Sequence, residues 1–408
     1  MHHHSTRSLG LMLTAALLAA PAVAEPAVTI RIERPPLEQT TPPTTPPFVG
    51  HRPAVDVAIL LDTSNSMDGL IDQAKRQLWT IVGQFAAAEK AGQTPHLRVG
   101  LFEYGNTNLP ASEGYLRQVS PLTDDLDALS AALFGLTTNG GDEYCGQVIE
   151  QAVAQLDWST EPGSYKAIFI AGNEPFTQGT VDYRSACAAA IQAGVVVNTI
   201  HCGSYDAGVS GMWSDGAKLA EGKYLNIDQD RAVVEISSPH DEIIIKLNAQ
   251  LNRTYLWYGE KRAQYGRNQE IQDSNAAALS PVAAVSRAVA KNSSVYDNRQ
   301  RDLVDRLDVD AEALAEISVD ALPEPMQTMT EEERKAYVEQ KAAERATIQA
   351  QLTEATQKRD AYVAAERKRM AEAGDQATLG DAVTQAVQEQ LRDAGFEIGR
   401  LPEPTEAD

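Results

Sequence analysis

A chain of 408 residues, 43% of them apolar, is longer than one core of ordinary size requires, so two or three structural units are expected. Its formal charge of −22 disfavours nucleic acid and anionic lipid and favours cations and basic partners, although solubility alone accounts for it equally well. The three cysteines show no Cys-x-x-Cys or Cys/His spacing, which argues against a thiolate metal centre.

Residues 1–24 read as an export signal. Arg7 supplies the positive n-region, "LGLMLTAALLAA" an apolar stretch too short to span a bilayer, and "AVA" at 22–24 a small-residue cleavage site. His2 to His4 fall inside it and carry no weight as ligands. Cleavage removes one arginine and no acid, taking the charge from −22 to −23. No later run is apolar for long enough to cross a membrane, so a soluble periplasmic or secreted chain is expected. Residues 25–52 contain "RPPLEQTTPPTTPP", a proline and threonine tract suited to an extended tether.

Residues 53–258 alternate between two patterns. "VDVAILLD", "LRVGLFEYG", "YKAIFIAG" and "GVVVNTIHC" are continuous β-rich runs of the kind covered on both faces, and "LRQVSPL" and "KYLNI" are shorter candidates. Amphipathic stretches at 67–90, 124–134, 143–157, 182–193 and 210–220 lie between them. The alternation predicts an α/β unit, a mostly parallel sheet with helices on both faces. A closing helix follows in "SSPHDEIIIKLNAQL". Ser238 reads as its N-cap, Pro239 as its first position and Asp241 as a first-turn acid, with Ile244, Leu247 and Leu251 on one face.

Beyond Gly259 strand signals cease, and an all-α extension is predicted. It comprises Ala-rich helices over 259–325 and a long charged helix region over 326–400, opened by a Thr330/Glu333 capping box and helical to about 373. Ile348, Leu352, Ala355 and Tyr362 give that helix a thin apolar stripe, which leaves open both a coiled coil and a helix docked on its neighbour. Residues 401–408 are expected to be disordered.

In an open parallel sheet, side chains that do chemistry gather where strands end, and the first strand here ends in "DTSNS". Asp62, Ser64 and Ser66 offer one carboxylate and two hydroxyls at alternate positions, an oxygen donor set that suits a hard divalent cation. The serines are neutral, so a bound ion would keep positive charge with which to hold a carboxylate from outside.

That motif, at the end of an apolar strand and followed by Met67 and a helix, resembles the metal-ion-dependent adhesion site of the von Willebrand factor type A family. The family pattern is D-x-S-x-S, with a Thr from a second loop and an Asp from a third. The resemblance covers residues 54–258, where the order and spacing of predicted elements agree with it. It implies a Rossmann-like fold and a Mg²⁺ or Mn²⁺ ion, with Ca²⁺ a further option, on Asp62, Ser64, Ser66 and a second-loop threonine. In "GLTTNGGDEYCG" that threonine is Thr138, beside the Asn139-Gly140-Gly141 turn, or else Thr137. Asp142 and Glu143 read equally well as metal contacts or as first-turn acids of the next helix. The third loop departs from the pattern, since "AGNEPF" has Gly172 where the family carries Asp; Asn173, Glu174 or Asp142 would have to compensate.

Other chemistries find little support. There is no G-x-S-x-G elbow to make Ser64 or Ser66 a nucleophile, no G-x-x-x-x-G-K-[ST] phosphate loop, and Ser64 stands where a phosphatase would place its second acid. His51, His96, His201 and His240 are scattered, and His201 reads as structural. All three cysteines are expected at the crevice end of the sheet, with Cys187–Cys202 the preferred disulfide and Cys145 the alternative partner. The expected protein is therefore not an enzyme. It is an adhesion or scaffold component of the bacterial envelope that captures an acidic residue of a protein partner. The alternative is an accessory subunit of an envelope enzyme or assembly complex, with the C-terminal helices as its permanent interface or as a surface for self-association.

Overall fold

The computed structural model describes residues 52–67, 70–227, 235–372 and 379–398; the expected export signal, the tether up to residue 51 and the C-terminal tail lie outside them. In chain order the strands are β1 (Ala54–Asp62), β2 (Ala88–Glu89), β3 (His96–Tyr104), β4 (Leu116–Thr123), β5 (Tyr165–Gly172), β6 (Val196–Cys202), β7 (Tyr224–Ile227) and β8 (Glu397–Ile398). The helices are α1 (Leu70–Ala86), α2 (Leu126–Phe134), α3 (Cys145–Gln155), α4 (Tyr183–Gln192), α5 (Tyr205–Ser210), α6 (Trp213–Leu219), α7 (Asp241–Asn252), α8 (Arg262–Leu279), α9 (Pro281–Lys291), α10 (Leu303–Val309), α11 (Ala313–Glu316), α12 (Glu331–Glu372) and α13 (Leu379–Asp393). Among the described residues no helix is long and apolar enough to cross a membrane.

All six predicted strands join one sheet in the order β4-β3-β1-β5-β6-β7, parallel except for β4, which runs antiparallel to β3. The fold is thus α/β and Rossmann-like, and the C-terminal region, expected to be all-α, is helical apart from the two-residue strand β8, which pairs with β2. The chain moves outward from β1 to β3 and β4, then returns to β5 on the other side of β1. The crevice of such a sheet opens at that reversal, between the carboxyl ends of β1 and β5.

Alternation along each strand divides the core into two layers. Val55, Val57 and Leu61 of β1 face a layer that includes Trp79 and Phe85 of α1, Leu129 of α2 and Ile244 of α7. Ala58 and Leu60 face the other, with Val148 and Ile149 of α3, Cys187 of α4 and Trp213 of α6. Asp62 continues the second series and Gly172 that of Ile168 and Ile170, so both turn toward the layer that holds Tyr104.

The same alternation rules out the expected disulfide. Cys202 belongs to the first layer and Cys187 to the second, so the sheet lies between them. All three cysteines are buried, reduced thiols, and burial pushes the Cys187 thiol up to about 12.

The extension is part of the first layer. Val285 and Ala288 of α9, Leu352 of α12 and Val387 and Leu391 of α13 share one apolar cluster with the sheet, and α9 lies along α1. Of the two options for α12, the structure has the docked helix: it packs on α7, Ile348, Leu352 and Ala355 of its stripe are buried while Tyr362 stays exposed, and arginines pin it at both ends of α7. Arg359 Nε donates to Asp241 Oδ1 at 3.0 Å, and Arg345 donates to Thr254 Oγ1 at 3.0 Å and Asp302 Oδ2 at 2.8 Å. The N-terminus of α12 carries the reciprocal capping box, Thr330 N to Glu333 Oε2 at 2.8 Å and Glu333 N to Thr330 Oγ1 at 3.3 Å. Thr330→Ala is expected to cost about 1 kcal/mol, read as a lowered urea midpoint at unchanged slope.

Boundaries differ where side chains act otherwise than expected. Helix α7 starts at Asp241, not Pro239, because the Asp241 carboxylate accepts the Ser238 N–H at 3.0 Å while Ser238 Oγ accepts from His240. Helix α3 starts at Cys145, which leaves Asp142 and Glu143 in the loop before it. The charged 326–400 region, expected as one helical stretch, also holds the separate helix α13 and the short strand β8, which pairs antiparallel with β2 at residues 88–89. The Gln390 amide of α13 accepts from Tyr165 at 2.7 Å and pairs with Asn198, beneath the amino ends of β5 and β6.

Candidate cation site at the carboxyl end of the sheet

Asp62 ends β1 fully buried, and its Oδ1 accepts the Ser64 N–H at 2.7 Å, which folds the chain back over the strand end. A short 3-10 turn, Asn65–Met67, follows, anchored by the buried Met67. This brings Ser64 Oγ to 2.7 Å from Ser66 Oγ, and Ser66 donates to Asn173 Oδ1 of the third loop at 3.0 Å. Three of the residues expected from the motif, Asp62, Ser64 and Ser66, are thus together, with Asn173 beside them.

The second loop reaches them through backbone. Asn139 N donates to Thr63 O at 2.9 Å and Thr107 N to Gly140 O at 3.1 Å. A side chain at Gly141 would overlap the Gly105 carbonyl oxygen, so only glycine allows this approach. Thr138 is half-buried on this loop; Thr137 is exposed and contributes its carbonyl, which accepts from Asn106 Nδ2 at 3.0 Å. Asn106 also donates to Thr63 Oγ1 at 3.3 Å and so ties the two loops together, a role the sequence alone did not reveal.

The two acids of the second loop face opposite ways. Asp142 is exposed, and its Oδ2 lies 3.5 Å from the Tyr144 hydroxyl. Glu143 is 2% exposed and lies against Asp62. Its N–H donates to Gln178 Oε1 at 3.0 Å, and its Oε2 accepts from Glu174 N at 3.3 Å. The Glu174 carboxylate itself turns to Gln178 at 3.3 Å, away from Asp62. Gly105, at φ +77°, makes room for the pair: a Cβ there would lie 2.6 Å from Asp62 Oδ1 and 2.9 Å from Glu143 Cγ.

Burial, and then the hydrogen bond and charge of Glu143, drive the Asp62 carboxyl well above its ordinary range. Its Oδ2 is buried and no protein donor reaches it. An acceptor left so, beside a second acid and a row of hydroxyls, is what a hard cation satisfies. Among the described residues no three of His, Cys, Asp and Glu converge on one point, so hydroxyl oxygens would have to complete the set.

Gly172 is buried where the family places an Asp, and the space is filled. A Cβ there would lie 3.0 Å from Trp213 Cη2 and 3.3 Å from Asp62 Cβ, and would run into the Tyr104 hydroxyl, which donates to Ala171 O at 2.9 Å. His201 is structural: its ring packs on Trp213, Nε2 lies 3.3 Å from Asn173 O, and burial lowers its pKa. Beside Asn173 a cleft of about 360 Å³ opens between Pro175, His201, Ala207 and Met212.

The profile of the von Willebrand factor type A domain matches residues 56–222, the stretch that carries every strand of the sheet except β7 and every loop of this site. Residues 56–222 are a von Willebrand factor type A domain. Solved structures similar to the chain include the conserved hypothetical protein BatB from Bacteroides thetaiotaomicron, at 20% identity over 43% of this chain and 91% of that one, with a TM-score of 0.33. The SpRpn10 type A domain matches at 16% identity over 44% and 90%, with a TM-score of 0.34. Proximal thread matrix protein 1 from the mussel byssus, solved with a zinc-occupied adhesion motif, matches at 14% over 44% and 43%, with a TM-score of 0.33. No curated protein matches the chain.

Proposed function

We propose that the type A domain binds a protein partner through a divalent cation held by Asp62, Ser64, Ser66 and Thr138, the ion offering a coordination position to an acidic side chain of the partner. The observation that carries this reading is the fully buried Asp62 carboxylate, whose Oδ2 no protein donor reaches, set at the carboxyl end of β1 among hydroxyls. Mg²⁺ or Mn²⁺ suits such oxygen donors, and Ca²⁺ would demand more of them. The ion supplies charge and ligand exchange, and no catalytic step is assigned to the site. The adjoining cleft, lined by Pro175, Ala207 and the exposed Met212, offers apolar surface for contacts beyond the acid. The proposal includes export, on the strength of residues 1–24, and places the protein in the bacterial envelope as an adhesion or scaffold component.

This reading is favoured over the accessory-subunit alternative because the stripe that would serve as a permanent interface is already used. Ile348, Leu352 and Ala355 of α12 are buried within the molecule itself.

Millimolar Mg²⁺ or Mn²⁺ is expected to raise the melting temperature of the wild type by mass action, and Asp62→Ala to remove that rise. Capture from envelope extracts should then depend on both Asp62 and free metal. Absence of both heat and stabilisation on adding metal to the wild type would refute the reading.

A further inference from the structure

The donor set described so far has one acid, while the buried site contains two. Position 172 cannot supply the second, because the Tyr104 hydroxyl and Trp213 occupy the space a side chain would need. Glu143 stands in the site instead: it is buried, and it lies within hydrogen-bonding reach of Asp62. Two backbone features deliver it. Gly141 lets the second loop press against Gly105, and Gly105 lacks the Cβ that would collide with both carboxylate side chains. Its N–H is held by Gln178 at 3.0 Å and its Oε2 accepts from Glu174 N at 3.3 Å, so its place is fixed from the third loop.

Resting on the cation reading above, we propose that Glu143 is the second carboxylate ligand of the site, entering from the second loop in place of the acid that Gly172 does not carry. Two carboxylates balance a divalent ion and overbalance a monovalent one, so the site takes Mn²⁺ or Mg²⁺ in preference to Na⁺ or K⁺. Without the ion, two buried acids face each other, an arrangement that costs stability until a cation or a proton enters. The neutralised ion keeps less residual charge than a one-acid site would leave it, so it holds a partner's carboxylate modestly.

The test is calorimetric titration of the full chain with Mn²⁺, with melting measured on the same metal-free and metal-loaded samples and NaCl as the matched ionic-strength control. Glu143→Gln keeps the shape and removes the charge. It is expected to weaken Mn²⁺ binding by about tenfold or more. The same variant should melt a few degrees higher than wild type when metal-free, because the facing charges are gone. Asp142→Asn, the exposed neighbour, should change neither quantity, and Glu143→Asp should recover part of the affinity. A residue that only braced the loop would lower the metal-free melting point, so the paired result separates ligand from brace. Equal Mn²⁺ affinity in Glu143→Gln and wild type overturns the assignment while leaving the cation site standing; a wild type that takes up no Mn²⁺ removes both.

Discussion

Asp273→Ala is expected to destabilise the protein by about 3–5 kcal/mol, because it strips a buried cation pair of its shared anion. Asp273 of α8 is an ion-pair partner of Arg287 and, at 3.0 Å, of Lys291, both from α9 and both essentially without solvent contact. It also accepts from Asn248 at 3.0 Å and Asn252 at 2.7 Å, so it joins the extension to the last helix of the α/β unit. Arg287 has a second anion in Asp127 of α2 at 2.9 Å and lies over the Trp79 ring; Lys291 has none nearer than Asp273 among the ion pairs described.

Burial alone would raise the Asp273 carboxyl, but the charges of Lys291 and Arg287 and the Asn252 amide override it and hold the group at about 2. Its folded value therefore lies below its unfolded one. The associated stability is present above pH ~4 and is lost as pH falls toward 2, an amount on the order of 2 kcal/mol. Burial lowers Lys291 to about 8 against the pull of Asp273. Lys291→Met, which deletes a cation that is costly to bury, should thus cost less than half as much as Asp273→Ala. Urea unfolding at pH 7 and pH 3 reads both effects. A loss under 1 kcal/mol for Asp273→Ala at pH 7, or an unchanged acid limb in that variant, would mean that α8 and α9 are held by apolar packing alone.

The elements of the sheet were legible because burial on both faces leaves unbroken β-rich runs; the four such runs and the two shorter candidates all became strands. The capping box and the stripe of α12 were equally legible, since each depends on residues three or four apart. What that helix docks against was not, because Arg345 and Arg359 find Thr254, Asp302 and Asp241 across the fold, and long-range ion pairs leave no local period. In the site, strand alternation already places Asp62 and Gly172 on one face. The orientation of the second loop was beyond such reasoning. Asp142 and Glu143 are adjacent acids in a stretch without helix or strand, and which one turns inward depends on how closely Gly141 approaches Gly105. The one usable signal was the Gly140-Gly141 pair, which marks a close backbone approach directly before those acids. The cysteine pairing failed for a related reason: all three residues lie toward one end of the sheet, but the pleat sends Cys202 to the opposite layer from Cys187.

Restoring the family's third-loop acid should damage the protein rather than improve the site. Gly172→Ala alone is expected to cost about 1–3 kcal/mol, since its Cβ must push aside the Tyr104 hydroxyl or Trp213 in a close-packed layer. Both neighbours are fully buried and committed, Tyr104 to Ala171 O and Trp213 Nε1 to Glu174 O at 2.8 Å. Gly172→Asp adds a third buried carboxylate beside Asp62 and Glu143, so its cost should exceed about 3 kcal/mol. Excess Mn²⁺ offsets only the charge and leaves the overlap untouched. Removing the hydroxyl in Tyr104→Phe/Gly172→Ala should recover part of the loss of Gly172→Ala, which assigns the penalty to sterics. Thermal melting with and without Mn²⁺ distinguishes the cases. A Gly172→Asp protein that melts like wild type and binds Mn²⁺ more tightly would show that the third loop can swing clear of Tyr104, and the need for a carboxylate from the second loop would disappear with it.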